Sequence, residues 1–326
     1  MKLPNLLINL KNPIDAFSAT PAQIERIRQA LPETEILLAT GKDRFLELLP
    51  RAEYGLVWNF KAAWYQQAPN LKALFTPAAG KDWMEPDPSG QVRTFYGSFH
   101  GRIMGESLLS MMLWFSRSLG RSAQDQQQKL WGRNSYSPNQ ALFGRRVLII
   151  GCGSLGVSCA ELLKAFGMQV VGVRRTVMAT PPPCIDRMIT FDQLAEELSQ
   201  ADHIVLLLPG GPETEGIITA EHFRAMKPGS YLYNLGRGNC YCEADLLHAL
   251  QQGPLAGAGL DVFAEEPLPA SSLLWEQPNL LITPHSSAIS REYLDLFIDE
   301  WLQQVRGCHQ ASQGTFTSHI GDFPPS

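Results

Sequence analysis

The run Gly151-Cys152-Gly153-Ser154-Leu155-Gly156 directly follows the apolar stretch VLII and precedes a helical pattern. A G-x-G-x-x-G run alone is a weak signal, but a strand before and a helix after form the context a phosphate-cradling turn requires. Gly151 permits a tight turn, Gly153 lets main chain approach a pyrophosphate, and Gly156 lets helix and strand pack closely. The helix start at Ser154 and Leu155 then offers N–H groups and a positive dipole end to an anion. At the end of the next apolar run stands Val173-Arg174-Arg175-Thr176. A site selective for NAD places a carboxylate there, on the ribose 2′-hydroxyl, whereas two guanidinium groups suit a 2′-phosphate. The expectation is a nicotinamide dinucleotide, NADP(H) in preference to NAD(H). Two solvated arginines at a strand end would give the same letters.

Three further segments carry polar residues directly after apolar runs: NLGRG with Arg237, GLDVFAEEPLP with Asp261 and Glu266, and NLLITPHSSA with His285. Open parallel sheets build their sites at such strand ends. A lone histidine there is more often structural than catalytic. An arginine, an acid pair and a histidine on three strand ends of one sheet are harder to dismiss.

The elements that must hold these residues read as α/β. From about residue 145 the apolar runs RRVLIIG (145–151), MQVVGV (168–173), HIVLLL (203–208), SYLYNL (230–235), GAGLDV (257–262) and NLLIT (279–283) lack in/out alternation, as strands buried on both faces do. Helical stretches such as SCAELLKAF, FDQLAEELSQ and EADLLHALQQ lie between them, so the pattern predicts a doubly wound parallel sheet of Rossmann type. The first hundred residues repeat the alternation more weakly, with strands at NLLINL, EILLAT, YGLVWN and ALFT and a helix opened by Thr20-Pro21 and running to about Ala30. A long helix over 105–128 links the halves, and its Met and Leu stripe reads as core. An amphipathic helix over 289–307 folds back on the first half. Hence two domains are expected: 105–286 binds the dinucleotide, and 1–104 with 287–326 forms a smaller, flavodoxin-like substrate domain. From about Cys308 the chain reads as a loosely held tail.

Totals exclude several classes. At 326 residues the chain exceeds one comfortable core. A formal net charge of −5 with 18% charged residues disfavours a nucleic-acid partner. No apolar run approaches the roughly 18 residues of a membrane span, and the N-terminal MKLPNLLINLKNPIDAF reads as a first strand rather than a signal peptide. The six cysteines (152, 159, 184, 240, 242 and 308) lack zinc spacing. Cys240 and Cys242 alone are a weak metal signal, so no metal is expected and reduced thiols in the cytoplasm fit best.

On these residues, and on ADHIVLLLPGGPETEGIITAEHFRAMKPGSYLYNLGRG (201–238) with its PETEGII and MKPG stretches, the sequence resembles the D-isomer-specific 2-hydroxyacid dehydrogenase family. The resemblance covers nearly the whole chain, is strongest from about Phe143 to Ala288, and within the family points toward the glyoxylate/hydroxypyruvate reductases. It implies that Arg237 holds the carboxylate and keto oxygen of a 2-keto acid, that His285 is the general acid in reduction, and that Glu266 orients and charges the imidazole. It further implies that Asp261 meets the nicotinamide carboxamide or lies beside the ring, with cofactor contacts from Leu208, Pro209, Leu235 and Gly236.

The family holds the substrate carboxylate on main-chain N–H groups of a loop, here FTPAAGKDWM (75–84), with Ala79 and Gly80 in the binding positions. Lys81 departs from the usual apolar residue; it suits a second anionic group and equally a solvated face. Trp83 and Met84 fit a side-chain pocket or hinge packing, and His100, Arg102 and Glu106 fit the cleft margin or nothing in particular. A homodimer is implied, with 105–140 and Trp131 as contact.

The expected activity is therefore NADP(H)-dependent reduction of a small 2-keto acid to the D-2-hydroxy acid. Two readings stay open beside it. One is an NAD-linked dehydrogenase of phosphoglycerate type, disfavoured by the missing acidic ribose reader. The other is a non-catalytic dinucleotide sensor resembling a corepressor, which could keep every motif.

Overall fold

The computed structural model describes residues 5–136, 139–176 and 180–311, with the side chains of 134–135 and 307–311 outside that description. Helix continues through position 308, the expected start of the tail, to Ala311; the Cys308 side chain and residues 312–326 lie outside the described residues. The chain divides into two compact units, Met1–His100 with Ile289–Ser326, and Gly101–Ala288.

In the first unit, strands β1 (Leu6–Asn9), β2 (Ile36–Leu38), β3 (Tyr54–Val57), β4 (Ala73–Thr76) and β5 (Arg93–Tyr96) form a wholly parallel sheet in the order β2-β1-β3-β4-β5. Helices α1 (Pro21–Ala30), α2 (Lys42–Leu48) and α3 (Ala62–Tyr65) connect the early strands. Thr20 opens α1 through a capping box: its hydroxyl accepts from Gln23 N, the Gln23 side chain accepts from Thr20 N, and Pro21 takes the first turn. β5 has no apolar run to announce it. It is an edge strand paired only with β4, and Arg93 stays exposed.

In the second unit, β6 (Arg146–Ile150), β7 (Gln169–Val173), β8 (Arg187–Ile189), β9 (His203–Leu206), β10 (Ser230–Asn234), β11 (Leu255–Leu260) and β12 (Leu280–Ile282) form a second parallel sheet, ordered β12-β11-β10-β9-β6-β7-β8. The remaining helices are α4 (His100–Ser116), α5 (Leu119–Gln127), α6 (Ser154–Ala165), α7 (Leu194–Leu198), α8 (Ala220–Ala225), α9 (Glu243–Gln251) and α10 (Tyr293–Ala311). Apolar side chains on both faces of the seven-stranded sheet form two separate core clusters, one including Leu148, Ile204 and Leu232, the other Val147, Val205 and Tyr233. Successive residues of a strand point to opposite faces, so only an unbroken apolar run can serve both.

The doubly wound α/β architecture expected from the sequence is thus present in both sheets. Details differ. The single helix expected over 105–128 is broken, because Ser118 takes a left-handed conformation at φ 51° and ends the hydrogen-bond ladder between α4 and α5. The C-terminal helix starts at Tyr293, not 289. The short strand β8, Arg-Met-Ile, has no apolar run to mark it. Among the described residues, no helix is long and apolar enough to cross a membrane.

Candidate active site

One register row crosses the seven-stranded sheet: Ile189, Val173, Ile150, Leu206, Asn234, Leu260 and Ile282 pair side by side. Adjacent members are about 4.8 Å apart. Arg174 and Gly151 follow the row by one residue, Leu208 by two, Arg237 by three, Asp261 by one and His285 by three. The sequence-predicted residues of this unit therefore leave the sheet along one carboxyl-terminal edge. β6 lies between β7 and β9, so the strand order reverses there, and the glycine turn sits at this switch point, where such sheets bind ligands.

The three glycines of the turn meet different surroundings. Gly151 has φ 92°, and a Cβ there would lie 2.7 Å from the Leu207 carbonyl oxygen. At Gly156 a Cβ would approach Gly151 O at 3.2 Å and Ile149 Cγ2 at 3.3 Å, so the helix lies close on the strand. Gly153, the residue before α6, is in extended conformation, and a Cβ there would meet nothing within 4 Å. Packing of the described chain gives no reason for its missing side chain. Leu208 and Leu235 are buried, Pro209 is exposed, and Gly236 is pressed against Leu208, where a Cβ would lie 2.6 Å from its oxygen. Arg174 donates its main-chain N–H to Ile189 O, and the Arg175 guanidinium pairs with Glu213 at 2.5 Å.

At β10 the fully buried Asn234 shapes the loop that carries Arg237. Its Nδ2 donates to Arg237 O at 3.0 Å and its Oδ1 accepts from Gly236 N at 3.0 Å. Arg237 is half-buried, with Nη1 on Gly236 O at 2.8 Å. Next to it, any Cβ at Gly238 would overlap the Phe263 carbonyl and the Ala264 nitrogen, so glycine is what lets this loop touch the one bearing Glu266. Glu266 uses both oxygens: Oε1 accepts from Phe263 N at 3.0 Å, and Oε2 faces His285 Nδ1 at 2.7 Å. His285 has φ 50°, a conformation costly for a non-glycine residue.

Asp261 explains how that conformation is held. Its main-chain oxygen accepts from His285 N at 2.8 Å, and its carboxylate accepts from Thr283 Oγ1 at 2.5 Å, Ser286 N at 2.8 Å and Ser287 N at 2.9 Å. The residue is fully buried, and its carboxylate is committed to the chain on either side of His285. Asn234, Gly238 and Thr283 were not singled out from sequence, and only their position beside Arg237 and His285 could have marked them.

In the other unit, Ala79 is exposed and Gly80 half-buried, at φ −72° and ψ 136°. The Lys81 ammonium lies over the Tyr96 ring, 5.9 Å from its centre, so its charge already has an aromatic partner. Trp83 is exposed, Met84 is buried, and His100 is buried rather than open to a ligand. Arg102 and Glu106, in the second unit, are exposed. Of the five described cysteines none is bridged, and Cys240 is buried while Cys242 is exposed, so the weak Cys240/Cys242 signal gathers no ligand set.

Residues 109–287 match the NAD binding domain of the D-isomer specific 2-hydroxyacid dehydrogenases. Over 281 residues the chain is 34% identical to a glyoxylate/hydroxypyruvate reductase A of Serratia proteamaculans, covering 81% of this chain and 84% of that one. A crystal structure of a D-isomer specific 2-hydroxyacid dehydrogenase family protein from Aeromonas salmonicida superposes with a TM-score of 0.76 at 33% identity, covering 96% of both chains. An NADPH-dependent glyoxylate/hydroxypyruvate reductase from Sinorhizobium meliloti, solved with NADP and sulfate, superposes with a TM-score of 0.75 at 27% identity, also over 96% of each chain.

Proposed function

The chain belongs to the D-isomer-specific 2-hydroxyacid dehydrogenase family, and from that premise we propose that it reduces a small 2-keto acid of the glyoxylate/hydroxypyruvate kind to the D-2-hydroxy acid with NADP(H). The observation that carries this reading is the shared edge: a glycine turn, an arginine pair and an Arg–Glu–His set leave one register row. The unit 101–288 takes the dinucleotide and the other unit contributes the substrate loop. The residues fit a dinucleotide, because Gly153 faces open space at the start of a twelve-residue helix. Arg174 and Arg175 stand where the 2′-phosphate would lie, and Leu208, Pro209, Leu235 and Gly236 line the same edge. When bound, NADPH supplies the hydride.

The chain's own residues do the rest. Arg237 holds the carboxylate and keto oxygen with a permanent planar charge. Glu266 accepts from His285 Nδ1–H, which fixes the tautomer and stabilises the imidazolium, so that Nε2–H gives its proton to the forming alkoxide. Asp261 keeps His285 in its left-handed conformation and flanks the nicotinamide end. Main-chain N–H groups of Ala79 and Gly80 hold the substrate carboxylate, and Lys81 is available to a second anionic group. The family's homodimer and a cytoplasmic location go with this reading; Leu130 and Trp131, just past α5, are exposed on the single chain.

Oxidation of NADPH and NADH, followed by absorbance with glyoxylate, hydroxypyruvate and a dicarboxylic keto acid, tests the assignment. We expect turnover with glyoxylate or hydroxypyruvate, a larger kcat/KM with NADPH, and D-configured product. Preference for the dicarboxylic acid would assign Lys81 to the substrate. NADPH binding without turnover across the panel would overturn the reading in favour of a dinucleotide sensor.

A further inference from the structure

The strand end that leads into the Ala79–Gly80 loop is locked at each of its three carbonyls. Gly97 N–H donates to Thr76 O at 2.9 Å and to Ala78 O at 3.2 Å. Tyr293, the first residue of α10, donates its hydroxyl to Pro77 O at 3.0 Å across 216 positions of sequence. Thr76 Oγ1 closes the turn by accepting from Ala78 N at 3.2 Å. A Cβ at Gly97 would sit 2.8 Å from Pro77 O, so glycine permits this approach of main chain to main chain.

A tyrosine hydroxyl has one proton. With that proton on Pro77 O, the Tyr293 oxygen is left to accept, and His100 Nε2 lies 2.8 Å away, carrying the hydrogen. Both side chains are buried, and burial pushes the His100 imidazole down to about 4, so it stays a neutral donor. The Tyr293 ring cannot swing away. It packs against Phe17 at 4.4 Å, Phe99 at 4.8 Å and Trp58 at 5.8 Å between ring centres. Glu300, two turns along α10, accepts from Ser98 N and Phe99 N at 3.0–3.1 Å, so the same helix also fastens the segment that carries Gly97 and His100.

Peptide planes are rigid, so fixing a carbonyl fixes the direction of the N–H on its far side. Holding Pro77 O therefore sets the direction of the Ala78 N–H, and holding Ala78 O sets that of the Ala79 N–H. We propose that Tyr293 and His100 are positioning residues for the keto-acid carboxylate, their buried pair fixing the Pro77 carbonyl, and with it the Ala78 peptide, at the base of the turn from which the N–H groups of Ala79 and Gly80 project. The proposal rests on the reading of that loop as the carboxylate holder.

Tyr293→Phe keeps the ring in its aromatic setting and removes only the hydroxyl. KM for glyoxylate and the inhibition constant of oxalate should each rise about tenfold, the scale of one buried hydrogen bond, while KM for NADPH and kcat at saturation stay within about twofold. Because His100 and Tyr293 share one hydrogen bond, the effect of the double variant Tyr293→Phe/His100→Ala on KM for glyoxylate should fall short of the two single effects combined. His100→Gln, which retains a donor, should recover part of what His100→Ala loses. Equal rises in both KM values would mark a structural role and overturn the proposal. Gly80→Pro separates the two ideas, since φ −72° already suits proline and the substitution removes the Gly80 N–H. If Gly80→Pro raises KM for glyoxylate and Tyr293→Phe does not, positioning is refuted and the loop assignment stands. If neither does, the loop assignment falls, and the proposal with it.

Discussion

The two ends of the register row are built from different materials. Around β6 and β7 the site is main chain: a left-handed glycine, an open glycine and the first turn of α6. Around β10 to β12 it is side chains, each held by another side chain that reaches main chain: Asn234 under Arg237, Asp261 around His285, Glu266 between Phe263 N and His285. On the proposed function, the difference follows from the task. A pyrophosphate is bound by several N–H groups converging on it, and glycine gives access. A proton is transferred by one group whose tautomer and direction must be set. If that division is right, the two ends fail differently. His285→Gln should lower kcat by about 10³-fold, within the usual worth of a general acid, and leave NADPH affinity measured by fluorescence titration unchanged. A parallel loss of NADPH binding would show that the two ends are not separable.

Within the main-chain end the glycines themselves divide. Gly153→Ala adds a methyl group that meets nothing in the chain, so its melting temperature should match the wild type while NADPH affinity falls about tenfold, the worth of a lost charge-assisted contact. Gly151→Ala forces alanine to φ 92° against Leu207 O, and about 1–3 kcal/mol of stability should go with it. Thermal unfolding with and without NADPH checks both. An unstable Gly153→Ala, or one that binds NADPH normally, would remove the reason for assigning the open face to a phosphate.

The same division decides what could be read from sequence. Continuous apolar runs announce strands buried on both faces, so β6, β7, β9 and β10 stand out, while the half-exposed edge strand β5 and the three-residue β8 do not. Glycine spacing announces the turn because conformation itself demands glycine there. Arg237, Glu266 and His285 are visible by residue type after strands. Their supports are not. Asp261 works through main-chain N–H groups 24 to 26 residues away and Tyr293 through a carbonyl 216 away. Hydrogen bonds to distant main chain leave no periodicity, and any short polar residue could have stood at those letters. The left-handed Ser118 that splits α4 from α5 is nearly as silent, since no proline stands there and Gly120 falls two residues past the break.

The smallest expected effect lies farthest from the chemistry, at Glu213, the partner of Arg175. Its pair with Glu213 is 2.5 Å long, but the two side chains are 82% and 75% exposed. An ion pair so solvated holds the loop weakly, by well under about 1 kcal/mol. On the proposed reading of Arg175, Glu213 is therefore a competitor for the guanidinium rather than a support. A 2′-phosphate arriving at β7 must displace it or share Arg175 with it. Glu213→Gln should lower KM for NADPH about two- to threefold, leave KM for NADH where it was, and lose this advantage at high salt, where exposed charges are screened. Arg175→Ala should do the reverse, raising KM for NADPH about tenfold with KM for NADH unmoved. Both variants should melt at the wild-type temperature. Should Arg175→Ala alter NADPH and NADH alike, Arg175 is not a 2′-phosphate reader, and Arg174 alone would have to carry the cofactor preference.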